Sequence, residues 1–428
     1  MNRTLILSLA LGLLSFAPAS HAEIGGLDDV PAATLLLPYF EVDLDNPLGL
    51  TTLFSVANAR QEATLAHVTF WSDLGVPTLD FNIYLTGYDI QTVNLRDIFT
   101  TGATPHTASA GQDPEDEISN VGEFSLDSNF ASCNGQLPLP PLPAPLLDHL
   151  RSSHTGGPSP VFSGLCSGLD HGDNVARGYI TIDHVRTCTL SFPNEDDYYE
   201  ADAIGFDNTL LGDYFYVNSG QNFAQGETMV HLEADPSLGA SHYTFYRAFS
   251  GGADRREGMG NVFLARFADG GDFTGGTDLI AWRDSKRRVQ PFSCSILFPV
   301  PFPLGQDQMV VFDEQENAEV PETCPFTCPP DLIPMPFPFQ TNRVSVNSID
   351  LPTPFEFGAW YLNFNTPVSG SLVPFEPLSQ GFMTVVMQAE GRFSVGFDAP
   401  QLSNVTLPDK AEEGFIPVCD GAPDPPSC

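Results

Sequence analysis

Carboxylates are the abundant reactive groups of this chain. There are 54 Asp and Glu against 17 Lys and Arg, a formal net charge of -37. Three loops gather oxygen donors at spacings that suit a hard cation. Asp43-x-Asp45-Asn46 follows an apolar run. Asp269-Gly-Gly-Asp272-Phe-Thr-Gly-Gly-Thr-Asp278 is Gly-rich with three acids, and Asp170-His-Gly-Asp173-Asn174 is the third. Calcium takes about six to eight oxygens from carboxylates, amides and loop carbonyls. Asp43, Asp45, Asn46, Asp269, Asp272 and Asp278 are therefore the expected metal ligands and Ca2+ the expected cofactor, with a solvated turn as the alternative for each loop. None of the loops has EF-hand spacing. A denser acidic run, Asn194 to Asp207, carries two tyrosines.

Other chemistries find less support. The chain has no G-x-S-x-G elbow, S-x-x-K, H-E-x-x-H or Walker loop. Ser241 and His242 are adjacent, so in a strand they point to opposite faces and make no dyad. His231-x-Glu233 would share one strand face and could hold a metal; a hydrogen-bonded pair in a sheet is the plainer reading. A copper site built on an N-terminal His would need cleavage before His21, which puts Pro18 where a small residue is wanted. Paired acids hydrolyse glycosides when their separation is right, but no motif selects a pair here. Trp71, Trp282 or Trp360, if exposed, could stack on a sugar ring. Arg283, Lys286, Arg287 and Arg288, with Arg255 and Arg256 nearby, are expected to pair with the protein's own carboxylates.

The elements that must position these groups read as strands. Leu79, Phe81, Ile83 and Leu85 alternate with Asp80, Asn82, Tyr84 and Thr86, and Ala66, Val68 and Phe70 with His67, Thr69 and Trp71. Phe393, Val395 and Phe397 repeat the pattern. Period-2 alternation marks half-buried strands. Further strands are expected over 178–190, 213–217, 228–233, 262–267, 279–282, 309–312, 358–364 and 382–388, the last turning at Glu390-Gly391. Helical turns fit only 95–100 and 145–153. The fold class is all-β: sandwich-type antiparallel sheets with long Pro/Gly-rich loops, linked by disulfides.

Composition divides the chain into a signal peptide over 1–22, a first β-sandwich segment over 23–99 and a loop-rich insertion over 100–176. A second β unit follows over 177–313, then a Cys/Pro-rich linker over 314–340, a returning β-sandwich segment over 341–407 and a C-terminal tail over 408–428. On this reading 31–99 and 341–407 build one sandwich. The Pro-rich tracts favour polyproline II and serve as rigid connections.

The first 22 residues have the layout of a secretory signal: Arg3, an apolar run from Leu5 to Phe16, then Ala17-Pro18-Ala19 and Ser20-His21-Ala22. Cleavage after Ala22 is expected, giving a secreted or periplasmic protein. The apolar run is shorter than the roughly 20 residues a spanning helix needs, and no transmembrane segment is expected in the mature chain. The eight cysteines (133, 166, 188, 294, 324, 328, 419 and 428) are expected to form disulfides in an oxidising compartment. Cys324–Cys328, Cys419–Cys428 and Cys133–Cys166 are plausible pairs among many. Tight Cys/His spacing for zinc is lacking. The charge argues against nucleic acid and anionic lipid as partners.

The stretches Thr34-Leu-Leu-Leu-Pro-Tyr-Phe-Glu-Val-Asp43, Asn94-Leu-Arg-Asp97, Gly212-Asp-Tyr-Phe-Tyr216, Asn222-Phe-Ala-Gln-Gly-Glu-Thr228 and Trp282-Arg-Asp-Ser-Lys286 resemble a group of exported bacterial proteins of unknown function. The resemblance implies export and β structure and carries no activity. The functional expectation is an exported non-enzymatic binding or adhesion module, stabilised by calcium, with an extracellular protein or glycan as partner. The alternatives are a secreted carboxylate-dependent glycan hydrolase and a structural subunit of an extracellular assembly.

Overall fold

Pro38 interrupts the first strand, and the interruption sets the layout around it. In the computed structural model, β1 (Thr34–Asp43) pairs with β6 (Val175–Val185), and the register shifts between Leu37 and Phe40. Proline has no N–H for the ladder, so a bulge falls there. The freed Pro38 carbonyl accepts from Thr341 Oγ1 at 2.5 Å, tying two sheets together. The structure describes residues 29–105, 141–200, 203–239, 243–284, 288–296, 301–305, 308–320, 335–367, 375–376, 379–389 and 391–404.

Around β1 lie β2 (Leu50–Asn58), β3 (Thr64–Ser72), β4 (Pro77–Leu85), β5 (Ile90–Asn94), β7 (Leu210–Asn218), β8 (Phe223–Thr228) and β9 (Val230–Leu232). They form a five-stranded sheet ordered β4-β3-β6-β1-β9 and a four-stranded sheet ordered β5-β2-β7-β8. Leu35, Leu37, Phe40, Phe54, Val56, Phe70 and Ile182 fill the space between these sheets. Two helices close its end: α1 (Leu95–Thr101), capped by the Asn94 side chain, and α2 (Ala144–Thr155), which ends where Gly156 takes φ 79°. Both expected helical turns are present.

The second half builds a nine-stranded sheet from β10 (Gly260–Ala268), β11 (Gly276–Arg283), β12 (Met309–Asp313), β13 (Ala318–Glu319), β14 (Thr341–Ser345), β15 (Phe357–Asn363), β18 (Gly381–Ala389), β19 (Phe393–Asp398) and β20 (Gln401–Asn404). A short ribbon, β16 (Thr366–Pro367) with β17 (Phe375–Glu376), lies beside it in sequence. Order in the large sheet is β13-β12-β15-β10-β18-β11-β14, with β19 on β18 and β20 on β10. One face packs Phe263, Leu279, Trp360 and Met383; the other meets the first half through Trp71, Tyr179, Trp282 and Phe382. The paired strands are antiparallel throughout, as the all-β expectation required. Among the described residues no helix is long and apolar enough to cross a membrane.

Strand pairing does not follow the compositional division. Strands of 31–99 pair with those of 175–232, and the strands of 341–407 join β10, β11 and β12 instead. Alternation fixes which face is buried; it carries no information about the neighbour. Cys166 bonds to Cys294, replacing the expected Cys133–Cys166 pair, because residue 166 exchanges backbone hydrogen bonds with Phe292. Cys188 is also disulfide-bonded. Cys133, Cys324, Cys328, Cys419 and Cys428 lie outside the described residues, as do the signal segment with His21, Ser241, His242, Lys286, Arg287, Glu390 and the tail from 408.

Candidate functional site

Most of the acids expected to bind calcium are held by the protein's own groups. Asp43 Oδ1 accepts the N–H groups of Asp45 and Asn46, a closed local turn. The carbonyls of Asp43, Asn46, Gly49 and Leu50 all accept from the Arg96 guanidinium, at 2.6 to 3.0 Å. Asp45 Oδ1 accepts from Asn174, so the first and third acidic loops lie side by side. The Gly-rich loop splits. Asp272 is exposed and pairs with Arg392 at 3.3 Å. Asp269 begins the turn, its N–H donating to the Glu356 carbonyl. Asp278 is inside β11, where its carboxylate accepts from Arg343, Ser345 and Gln388. Among the described residues no three His, Cys, Asp or Glu side chains converge as a metal site.

These pairs join into one chain of alternating charge. Arg177 grips Asp173 with two bonds, at 2.7 and 2.8 Å, and reaches Glu41 at 3.4 Å. Glu41 meets Arg343 at 2.7 Å, and Arg343 meets Asp278 at 2.7 Å. Tyr39 donates to Glu41. The chain runs along a cleft of about 450 Å³, also lined by Asp73, His171 and Phe339. His171 Nε2 sits 3.0 Å from Asp73. With the guanidiniums spent on internal acids, this cleft is an ion-paired brace.

The clustered arginines behave in two ways. Arg256, fully buried, contacts Asp254 and Asp183, the latter also bound by Thr34, Tyr198 and Tyr246. Arg288 pairs with Asp196. Arg283 instead donates to the Phe302 and Phe337 carbonyls and lies over the Phe302 and Phe364 rings; burial pushes it down to about 9. The sheet histidines are buried. His67 and His184 are each pushed down to about 4, burial being the main cause. His231 Nε2 accepts the Gly212 N–H at 3.3 Å. The three tryptophans are at most 3 % exposed, which removes them as sugar platforms. They serve the cores: Trp71 stacks on Tyr179 with centroids 5.6 Å apart.

An open, more polar groove lies elsewhere, where β8 meets the β18–β19 hairpin. A groove of about 570 Å³ is lined there by Gln221, Asn222, Phe223, Gln388, Arg392, Phe393 and Ser394. Phe393 is 48 % exposed. A smaller cavity of about 80 Å³ continues inward past Gln225, Tyr216 and Val386. Ser394 donates to Gln225, which donates to Glu227. A Cβ at Gly396 would collide with Glu227 Oε1, so glycine there lets this side chain lie across β19. Burial, then the Asp398 charge, pushes Glu227 up to about 7; burial, then the Asp29 charge, pushes Asp398 up to about 6. Sequence reasoning named Phe393 as a strand residue and the 222–228 stretch as one of resemblance, and proposed none of these residues as a site.

No family model, curated protein or solved structure matches this chain. The class that fold and site define is an antiparallel β-sheet protein with a polar, aromatic-edged groove at the junction of two sheets.

Proposed function

We propose that the mature chain is an exported, non-catalytic β-sandwich that binds a neutral glycan in the groove between β8 and the β18–β19 hairpin. The observation that carries this reading is the lining: three amides and a hydroxyl beside an exposed phenyl ring. Amides both donate and accept, which suits sugar hydroxyls. A phenyl face suits the apolar face of a sugar ring. Arg392 is paired with Asp272, so it adds little free charge to the groove. The large negative charge of the chain repels anionic glycans. Export is supported by the layout of residues 1–22 and by the Cys166–Cys294 disulfide, which suits an oxidising compartment.

Titration of the purified mature protein with neutral oligosaccharides of varied linkage tests this. Phe393→Ala with Gln388→Ala should weaken binding at least about tenfold, roughly 1.4 kcal/mol, and leave the fold intact by circular dichroism. Absence of neutral-glycan binding, or binding unchanged in the double variant, would rule the groove out. Release of reducing ends during the titration would favour a hydrolase instead.

A further inference from the structure

We infer that the seam between the four-stranded and nine-stranded sheets holds a calcium-class divalent cation, ligated by Glu227 and Asp398 with the hydroxyls of Tyr214 and Thr384. The register supplies the geometry. Tyr214 is directly opposite Glu227 across β7 and β8. Thr384 is directly opposite Asp398 across β18 and β19. Directly opposed residues of an antiparallel pair point to the same face, with Cβ atoms about 5 Å apart. Each sheet therefore presents one hydroxyl and one carboxyl. The two pairs face each other, because β8 lies against β19 through the Ser394–Gln225 hydrogen bond and the Glu227 side chain over Gly396. The Thr384 hydroxyl is close enough to act on both Tyr214 and Asp398, which brings the four groups together.

Two further observations point to a ligand. Tyr214 is 1 % exposed and Thr384 is 0 % exposed, and apart from loose approaches of Thr384 to Tyr214 and Asp398 and of Tyr216 to Tyr214 neither hydroxyl has a hydrogen-bond partner among the described residues. A buried hydroxyl left so is costly, and two of them facing the same pair of carboxyls would be satisfied together by one bound ion. The carboxyls also lack a counter-charge. Elsewhere Asp173, Glu41, Asp278, Asp272, Asp196 and Asp254 each meet an arginine. Among the described residues Glu227 and Asp398 have no such ion pair, and Asp29 adds a further negative charge near Asp398. All donors are oxygens, which selects a hard cation over zinc or copper. Asp398 keeps one edge open to solvent while its carboxyl reaches into the seam, so water completes the coordination. The site does not rest on the glycan reading; Gln225, which bonds to Glu227, lines the small cavity beside the groove and not the groove itself.

The test uses the intact mature protein and the metal alone. Calcium should raise the melting temperature of EDTA-treated protein. In the Glu227→Gln, Asp398→Asn double variant that rise should vanish, and the metal-free variant should melt above the metal-free parent, because like charges have been removed. A calcium rise retained in the variant, or none in the parent, would overturn the site. Terbium luminescence gives a second reading that does not depend on the variant's stability. Tyrosine-sensitised emission should appear on terbium binding, fall on addition of calcium, and drop severalfold in Tyr214→Phe. Emission unchanged by Tyr214→Phe would place the ion elsewhere and also overturn the inference.

Discussion

Arg96 Nη1 lies 2.6 Å from the carbonyl oxygen of Asp43, with its other contacts to Asn46, Gly49 and Leu50 completing a ring of loop carbonyls around one guanidinium. An internal cation thus does for this loop what a calcium ion does in loops of similar composition. Removing it leaves partly buried carbonyls unpaired, each worth about 1 kcal/mol or more. Arg96→Met should lower stability by about 2 to 4 kcal/mol in urea denaturation. The groove between β8 and β19 should keep its ligand binding. A loss below about 0.5 kcal/mol would mean that solvent satisfies these carbonyls without help.

Arg343 bridges Glu41 and Asp278 between β1 and β11, and both carboxylates are largely buried. Arg343→Met leaves Asp278 without an arginine and Glu41 with only the longer Arg177 contact at 3.4 Å, so a loss of about 3 to 5 kcal/mol is expected. Adding Glu41→Gln and Asp278→Asn should recover much of it, since the penalty lies in the stranded charge more than in the missing contact. Chemical denaturation of the single and triple variants measures both. A triple variant no more stable than the single one would show that Arg343 acts through packing alone.

How much of this was legible in the sequence follows from what each signal encodes. Alternation marked β3, β4 and β19 because their side chains divide between two faces. It said nothing of β1 lying between β6 and β9, since a ladder partner is chosen by backbone edges and turn geometry over long separations. Asp43 and Asp278 were visible as acids; that Arg96 already holds the Asp43 carbonyl and Arg343 the Asp278 carboxylate was not, because those arginines arrive from α1 and β14. Tyr214 falls in the strand expected over 213–217, while Glu227 sits in a stretch singled out only by resemblance. Asp398 drew no attention, because only the fold brings β19 against β8.

The Cys166–Cys294 bond closes a loop of 128 residues. In the chain-entropy account a crosslink of that span stabilises by roughly 5 kcal/mol. A Cys166→Ala, Cys294→Ala variant should therefore melt well below the parent, with the deficit nearly independent of calcium because the cation seam is built from other strands. Comparison of the two melts with and without calcium measures this. If the double variant also lost its calcium response, the disulfide and the seam would be coupled.

The pH dependence of the metal-free protein follows from buried groups of opposite sign. Burial, then the Glu195 charge, pushes Asp80 up to about 8, and Glu227 is raised to about 7. A folded-state pKa above the unfolded value means the folded chain keeps protons the unfolded chain has lost, so stability falls as pH rises toward the folded pKa. Burial lowers His67 and His184 to about 4 and His154 to about 3, so these oppose folding as pH drops below the ordinary histidine value of 6.5. The two effects largely offset between about pH 4.5 and 6.5. Between about pH 6.5 and 7.5 the unfolded histidines lose their last protons, which offsets part of the carboxyl effect; above about pH 7.5 they are neutral in both states and the carboxyls alone set the slope. In EDTA, urea denaturation should show stability falling from about pH 6.5 to 8, with Asp80 contributing about 2 kcal/mol of the loss. Asp80→Asn should flatten the profile over that range, and Glu227→Gln should flatten its lower end. Equal or greater stability at pH 8 than at 6.5 would mean that both carboxyls ionise near their ordinary values, and that water or a counter-charge reaches them.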